Sequence, residues 1–465
     1  MSRSSTSILV AVAVAVSSIA LLQNLVIPLA PLVQAEFGVT ADAASWTMTA
    51  WLMAAAVATP TLGRIGDLRG RRTTFLVTLG VTAAGDVLAA VAPTLEVLIV
   101  ARVLQGIGGA LFPLAYGLLR DALPRERVTG AIGVVSAVIG IGGAAGTVLA
   151  GPLADLVGWR GTFAVPFLVA ALGAFLTLAT VRDSGVRARG RVNTRSSVLL
   201  SAWLVALLVP LSTGARWGWT SPAVLALFGV AVLAFAAWIL SELRSSEPLV
   251  DLRLMASPAI WPVNAASLLI GAGVFAFWGY LPQFLELSAS AGGPGLTVQG
   301  AGLMLVPMLI GMSGVGFATG ALNRLLSLRA LLVIGALLMG ASGAAAALAH
   351  TAPWQLAVAG AGFGIGCGLA YAASAGIVVQ GVPAAVTGVA TGVNANLRTI
   401  GSAIGSATTG AIAFGPAAHG TGSGFATAWA LVAVVTVLAG AIVWVVRTGP
   451  AVTTETTPLP ELVEA

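Results

Sequence analysis

The chain is a succession of apolar runs, each close to 20 residues long, separated by short links that hold its charges, prolines and glycines. A helix rising 1.5 Å per residue needs about 20 residues to cross the hydrocarbon of a bilayer, where backbone groups must be satisfied inside each segment. Cut at charges and Pro/Gly clusters, the sequence yields fourteen runs. Their approximate limits are 8–32, 46–63, 74–92, 95–119, 128–153, 161–181, 198–213, 222–241, 261–286, 298–320, 330–349, 354–380, 386–412 and 423–446. Only 8% of the 465 residues are charged and 58% are apolar, with a mean hydropathy of +1.00. That leaves too little polar surface for a water-soluble globule, so lipid must cover the rest. The expectation is an all-α integral membrane protein with fourteen transmembrane helices. The run that begins at Ile8 is long enough to span, and it reads as an uncleaved first helix rather than a secretory signal.

Charge placement sets the orientation. All 22 basic residues are arginines, and with fourteen spans and both termini cytoplasmic, 18 of them fall on the inner side: Arg3, Arg64, Arg69, Arg71, Arg72, Arg120, Arg125, Arg127, Arg182, Arg187, Arg189, Arg191, Arg195, Arg244, Arg253, Arg324, Arg329 and Arg447. Arg160 and Arg216 fall outside, and Arg102 and Arg398 fall within spans. Cytoplasmic loops retain basic residues, so a missed span would scramble this asymmetry. The net charge of +6 is then a topological signal, and no nucleic-acid partner is expected. Cys367 is the lone cysteine, and His350 and His419 lie in separate outer loops, so no metal site or cofactor is expected.

The segment Gly63–Arg72, GRIGDLRGRR, is answered 257 residues later by Gly320–Arg329, GALNRLLSLR, with the glycine and the final arginine in register. Both follow the second span of a six-span half if spans seven and eight are a central insert. The expected organisation is a six-helix bundle at 1–181, two inserted helices with cytoplasmic links at 182–260, a second bundle at 261–447 and a cytoplasmic tail at 448–465. Such duplicated halves have pseudo-two-fold symmetry and hold a transport path between them.

In the decapeptide, a carboxylate set among four arginines can bond neighbouring helix ends and release them when they separate. A loop that merely orients the chain would need positive charge alone and leaves the Gly and Asp spacing unexplained, so the latch is the favoured reading. Here the chain resembles the major facilitator superfamily, specifically its fourteen-span drug:proton antiporter branch. Gly63, Asp67, Gly70, Arg71 and Arg72 stand where that family's loop signature has them. Arg102-Val103-Leu104-Gln105-Gly106 resembles its fourth-helix motif, and Arg120-Asp121 with Pro124–Arg127 resembles the loop after it. Glu247–Leu252 resembles the link into the second half, and Asn394–Arg398 with Gly401 and Gly405 the penultimate helix. The resemblance implies a monomeric secondary transporter of the bacterial cytoplasmic membrane. It would export small hydrophobic or amphipathic, antibiotic-like compounds in exchange for protons. By family position Gln23, Asn24, Gln105, Tyr116, Trp278, Tyr280, Gln283, Tyr371 and Asn394 are expected to line the cavity.

Two departures stand out. Helix five reads Gly146-Thr147 and Ala150-Gly151 where the antiporter motif has Gly-Pro and Gly-Gly, and helix one reads Leu22-Gln23-Asn24 where the branch has an Asp. A proton-uncoupled facilitator or symporter, and a non-transporting membrane sensor or scaffold, therefore stay open as alternatives.

Charges inside lipid cost about 2.5–3.5 kcal/mol each at mid-helix and persist with a partner or a task. Asp86 and Arg102 are expected at similar depths on adjoining helices, near Gln23 and Asn24. They form either a proton site replacing the lost acid or a static ion pair. Arg398, one turn beyond Asn394, either faces an anionic substrate group or, the favoured reading, braces its helix through backbone carbonyls. Glu286 is a second proton site or, as favoured, an ordinary interfacial carboxylate.

Overall fold

The computed structural model describes residues 5–26, 29–185, 187–188, 190–414 and 422–446. Arg3, Arg189, His419, Arg447, the 448–465 tail and the side chain of Thr147 lie outside the described residues. Among the described residues the regular structure is entirely helical. In chain order the helices are α1 (Ser5–Leu25), α2 (Ala30–Phe37), α3 (Ala41–Arg69), α4 (Arg71–Ala90), α5 (Leu95–Gly106), α6 (Leu111–Ala122), α7 (Arg125–Gly161) and α8 (Ala164–Thr180). There follow α9 (Thr194–Trp217), α10 (Pro222–Arg244), α11 (Leu252–Met255), α12 (Trp261–Trp278) and α13 (Leu281–Glu286). The chain continues with α14 (Val298–Leu322), α15 (Leu328–Leu348), α16 (Pro353–Gly381), α17 (Thr387–Phe414) and α18 (Gly422–Val445).

Capping residues set many of the starts. Thr94, Asn193, Ser221, Asp251, Thr297 and Ser327 each accept from a backbone N–H in the first turn of the helix that follows. Prolines mark the beginnings of α10, α12 and α16, where a missing N–H costs nothing.

Eleven described helical segments are long and apolar enough to cross a membrane. A twelfth counts if Val148–Gly161 and Ala164–Thr180, bent by 83°, are one span. The expected count of fourteen also needs α3 and α17, which have 29 and 28 residues but carry more polar side chains. Several boundaries differ from the sequence reading. The run at 8–32 ends as a helix at Leu25, and Pro31 opens the separate α2. The run at 95–119 breaks into α5 and α6 at a 3-10 turn over Ile107–Ala110, where Gly108 and Gly109 weaken the helix. The seventh run, short by hydropathy, is the full 24-residue α9.

Apolar side chains pack into two large clusters. One is built mainly from α1 to α8 and the other from α12 to α18. A third, smaller cluster joins Leu200, Leu204 and Leu208 of α9 and Trp238 of α10 to Ala56 of α3 and to Val389 and Ile400 of α17. The α9/α10 pair therefore covers the line where α3 meets α17. The outer wall is apolar: Leu156, Phe175, Leu233 and Leu348 are largely exposed, as side chains facing lipid must be.

The two large clusters meet along two seams, α3 against α17 and α7 against α14, and glycine sets the distance in both. A Cβ on Gly63 would lie 2.6 Å from the Gly388 carbonyl oxygen, and one on Gly320 would lie 2.7 Å from the Gly130 Cα. Backbones this close leave no room for a side chain.

Candidate functional site: an ion-paired helix junction and buried charges

The segment read from sequence as a loop is mostly helix. α3 runs through to Arg69, and Gly70 alone breaks the path into α4, with φ +116, a conformation that favours glycine. The turn at Gly70 brings Asp67, in the last turn of α3, against Arg71, the first residue of α4, and their side chains meet at 2.7 Å. Arg71 also reaches Asp121 at 2.5 Å and donates to the Ala384 carbonyl. Asp67 is 1% exposed, and its oxygens accept from the backbone N–H groups of Gly388 at 3.0 Å and Val389 at 2.9 Å. Arg120 donates to the Val382 carbonyl and the Thr387 hydroxyl, at 2.9 and 2.6 Å. The N-terminus of α17 thus docks on a buried carboxylate, as an unsatisfied helix start favours.

Of the residues expected to form a latch, the structure brings together Gly63, Asp67, Gly70, Arg71, Arg120 and Asp121. Arg72 turns away and donates to the Leu178 carbonyl near the end of α8. Ser184 and Ala188, beyond α8, lie over this junction: the Ala188 N–H donates to the Asp67 carbonyl at 2.7 Å, and the Ser184 hydroxyl donates to Asp121 at 3.0 Å. A hydrogen bond from Arg187 holds the exposed Asp183 carboxyl below the usual carboxylate range.

Residues that sequence reasoning missed complete the closure. Gln380 donates to the Thr129 hydroxyl, and Asn396 donates to the Ala56 carbonyl at 2.7 Å. The four-residue spacings Gly388/Gly392 and Gly316/Gly320 were the available signal, since such pairs let membrane helices approach closely. All these bonds lie from the arginine-rich end to about mid-helix, and they join the two bodies there.

Deeper in the first cluster, Asp86 and Arg102 do not pair directly as expected. Gln105 stands between them. Arg102 donates to Gln105 Oε1 at 2.7 Å, and Gln105 Nε2 donates to Asp86 Oδ1 at 2.9 Å. Both helices are close here because Gly85 leaves space for Gln105, which would touch a Cβ there at 2.9 Å. Arg102 also donates to the Thr47 carbonyl and lies 5.8 Å from the Trp51 ring centroid. Asp86 Oδ2 is buried with no hydrogen-bond partner among the described residues.

The expected cavity residues separate into groups. Gln105 is fully buried in this triad rather than facing a cavity. Asn394 is 2% exposed and donates to Asn264 and Ser267 while accepting from Ser374, so it ties α17 to α12 and α16. Asn24 donates to the Ala20 carbonyl of its own helix, and Gln23 next to it is half-buried. Trp278 packs at Gly143 of α7, with Asn24 alongside. Tyr280 donates to the Ser406 carbonyl, while Gln283 and Glu286 are exposed on α13. Tyr116 and Tyr371, one from each large cluster, gather near Arg398, whose guanidinium sits 4.3 Å from the Tyr371 ring centroid. Arg398 makes no bracing bond to a backbone carbonyl among the described residues.

Two helical bodies meet along glycine seams, joined at one end around buried ion pairs and holding charges within apolar helices, and the family match makes the chain a transporter rather than an enzyme. The chain belongs to the Major Facilitator Superfamily, whose sequence profile matches residues 12–406. It is 32% identical, over 87% of its length and 75% of the relative's, to the tetracenomycin C resistance and export protein of Streptomyces glaucescens. It is 28% identical, over 82% of its length and 71% of the relative's, to multidrug resistance protein Stp of Mycobacterium tuberculosis. The fold is similar to that of the human organic anion transporter MFSD10 (TETRAN), with a TM-score of 0.70 at 14% identity, covering 94% of this chain and 99% of that one. It is also similar to the proton:xylose symporter XylE, with a TM-score of 0.68 at 14% identity and 95% coverage of both chains.

Proposed function

We propose that the protein exports small hydrophobic or amphipathic compounds across the cytoplasmic membrane in exchange for protons, by alternating access, as a monomer. Its relatives with resistance and export names support the direction and the class of cargo. In this reading the twelve apolar segments together with α3 and α17 make fourteen crossings. The arginine-rich end faces the cytoplasm, as do both termini. Residues 1–181 and 261–447 are the moving bundles and 182–260 the insert that spans their seam. The latch holds the cytoplasmic side shut while the opposite side is accessible, and its release lets the bundles rock.

The observation that carries the coupling is Asp86. A carboxylate oxygen buried without a donor is costly, and a proton on Oδ2 removes the uncompensated charge. Gln105 links that carboxyl to Arg102 and, through Thr47, to α3, one of the helices at the seam. Loading and unloading Asp86 would then be felt where the bundles meet. Proton-uncoupled facilitation is the competing reading, favoured by Asn24, which spends its amide on its own helix where the branch has an acid.

Inside-out vesicles with an imposed proton gradient separate the two. Gradient-driven accumulation of a fluorescent antibiotic-like dye should collapse on adding a protonophore. Asp86→Asn should abolish that accumulation yet keep downhill flux. Accumulation that ignores the gradient, or Asp86→Asn behaving like the parent, would rule out coupling through this residue.

A further inference from the structure

Most charges within the apolar helices have partners. Asp86 receives Gln105, Arg102 donates to Thr47 and Gln105, and Glu242 accepts from Trp238 and from the backbone of Leu249 and Val250. Arg398 is different. Among the described residues it forms no ion pair and no hydrogen bond, and it is half-buried rather than sealed. It is the twelfth residue of the 28-residue α17, roughly 17 Å along the helix from the arginine-rich end.

Three uncharged side chains lie around it. The guanidinium lies over the Tyr371 ring at 4.3 Å, with Tyr116 and Cys367 also within its field. The Tyr116 hydroxyl is already engaged with Ser136 at 3.3 Å. Phenols and a thiol supply no negative charge at neutral pH. An aromatic face attracts a cation, but it leaves the in-plane N–H donors of the guanidinium free. Tyr116 belongs to the first large cluster, whereas Tyr371 and Arg398 lie on helices of the second. The unpaired cation therefore sits at the junction of the two bodies, where duplicated transporters bind their cargo.

We infer that Arg398 is a specificity residue for organic anions: it takes the carboxylate or ionised enol of a substrate whose aromatic body lies against Tyr371 and Tyr116. A planar fork of donors suits a carboxylate, and a preformed unpaired cation has no desolvated partner to give up when the anion arrives. Cationic compounds meet like charge at the same point and are rejected. The inference rests on the transport reading above and narrows its cargo.

The test uses the full chain in proteoliposomes under an imposed proton gradient, with 7-methoxycoumarin-3-carboxylate and its uncharged carboxamide as probes. Equilibrium binding to purified protein is measured alongside by fluorescence titration. The carboxylate should bind and move at least tenfold better than the amide. Arg398→Gln should raise the Kd and KM for the carboxylate at least tenfold and leave those for the amide within twofold, while Arg398→Lys keeps part of the preference. Equal handling of the two probes by the parent protein overturns the inference, as does a Gln variant that loses both probes equally, the mark of a structural role. Gradient-driven export of a neutral or cationic dye without binding of the carboxylate would sink the anion claim and leave the export reading standing. Carboxylate binding without gradient-driven movement of any probe would do the reverse.

Discussion

The two copies of the ten-residue repeat share a scaffold and differ in chemistry. In the first copy Gly63 of α3 touches Gly388 at the start of α17, and in the second Gly320 of α14 touches Gly130 at the start of α7. In the first copy Arg72 donates to the Leu178 carbonyl near the end of α8. In the second Arg329 donates to the carbonyls of Val443, Trp444 and Val446 at the end of α18. Close approach and helix-end capping are thus common to both. The carboxylate is not: Asp67 is buried beneath α17, whereas the aligned Arg324 is exposed. Likewise Gly70, at φ +116, gives way to Ser327, which caps α15 in the ordinary way. The two segments thus share glycine contacts and helix-end capping, and only the first sets a buried carboxylate against the facing helix.

The comparison breaks most visibly at Asp67. Asp67→Asn removes the charge that meets Arg71 and the two N–H groups of α17, leaving a buried guanidinium with less compensation. Losing one partner of a buried pair costs about 3–5 kcal/mol. Transport per folded molecule, measured in vesicles, should fall at least about thirtyfold, with the arginine-rich end opening more often. Arg324→Ala should change it by less than twofold. Comparable losses from both would mean that the second copy also locks, and the asymmetry drawn here would be false.

The shared part of the repeat predicts the opposite pattern. Gly63→Ala and Gly320→Ala each force a methyl group against backbone, at 2.6 Å from Gly388 oxygen and 2.7 Å from Gly130 Cα. Overpacking of this kind costs about 1–3 kcal/mol, and here the halves can relieve it by separating at the latched end. Spin labels on the exposed Arg125 and Arg324 positions should report a longer distance in both variants. A shift in only one would show that the two seams do not act together.

Much of this was legible in the sequence, for a physical reason. Apolar length marks the eleven or twelve segments able to cross a membrane, because lipid imposes that constraint on each segment by itself, whereas the polar α3 and α17 do not stand out in this way. The Gly-Asp-Arg spacing marked the segment, but the meeting of Asp67 with Arg71 comes from the turn at Gly70, which joins the end of α3 to the start of α4. What escaped were partners distant in sequence. Nothing local to Asp67 says that Gly388 and Val389 will donate to it. Depth along adjoining helices brought Asp86 and Arg102 to one layer, but rotation about the helix axes decided that Gln105 would lie between them. Cavity residues were the least legible, because Asn394 and Gln105 look available in sequence and are spent on bonds within their own bodies.

The smallest expected effect tests the capping arginines. Carbonyls in the last turn of a helix lack intrahelical donors, and a guanidinium there meets both the free lone pairs and the negative end of the dipole. Arg329 serves three carbonyls, at 2.5 to 2.9 Å, whereas Arg72 serves one at 3.3 Å. A hydrogen bond from a charged group is worth about 1.5–3 kcal/mol when well formed, and a long exposed one less. Arg329→Ala should therefore lower the Tm of the purified protein clearly, by about 2 kcal/mol of stability, and Arg72→Ala by about 1 kcal/mol or less. Because neither arginine crosses between the bodies, transport per folded molecule should stay within twofold in both. A drop in turnover for Arg72→Ala without a matching fall in Tm would place Arg72 in the latch, and the first copy would then differ from the second at its last residue as well as at Asp67.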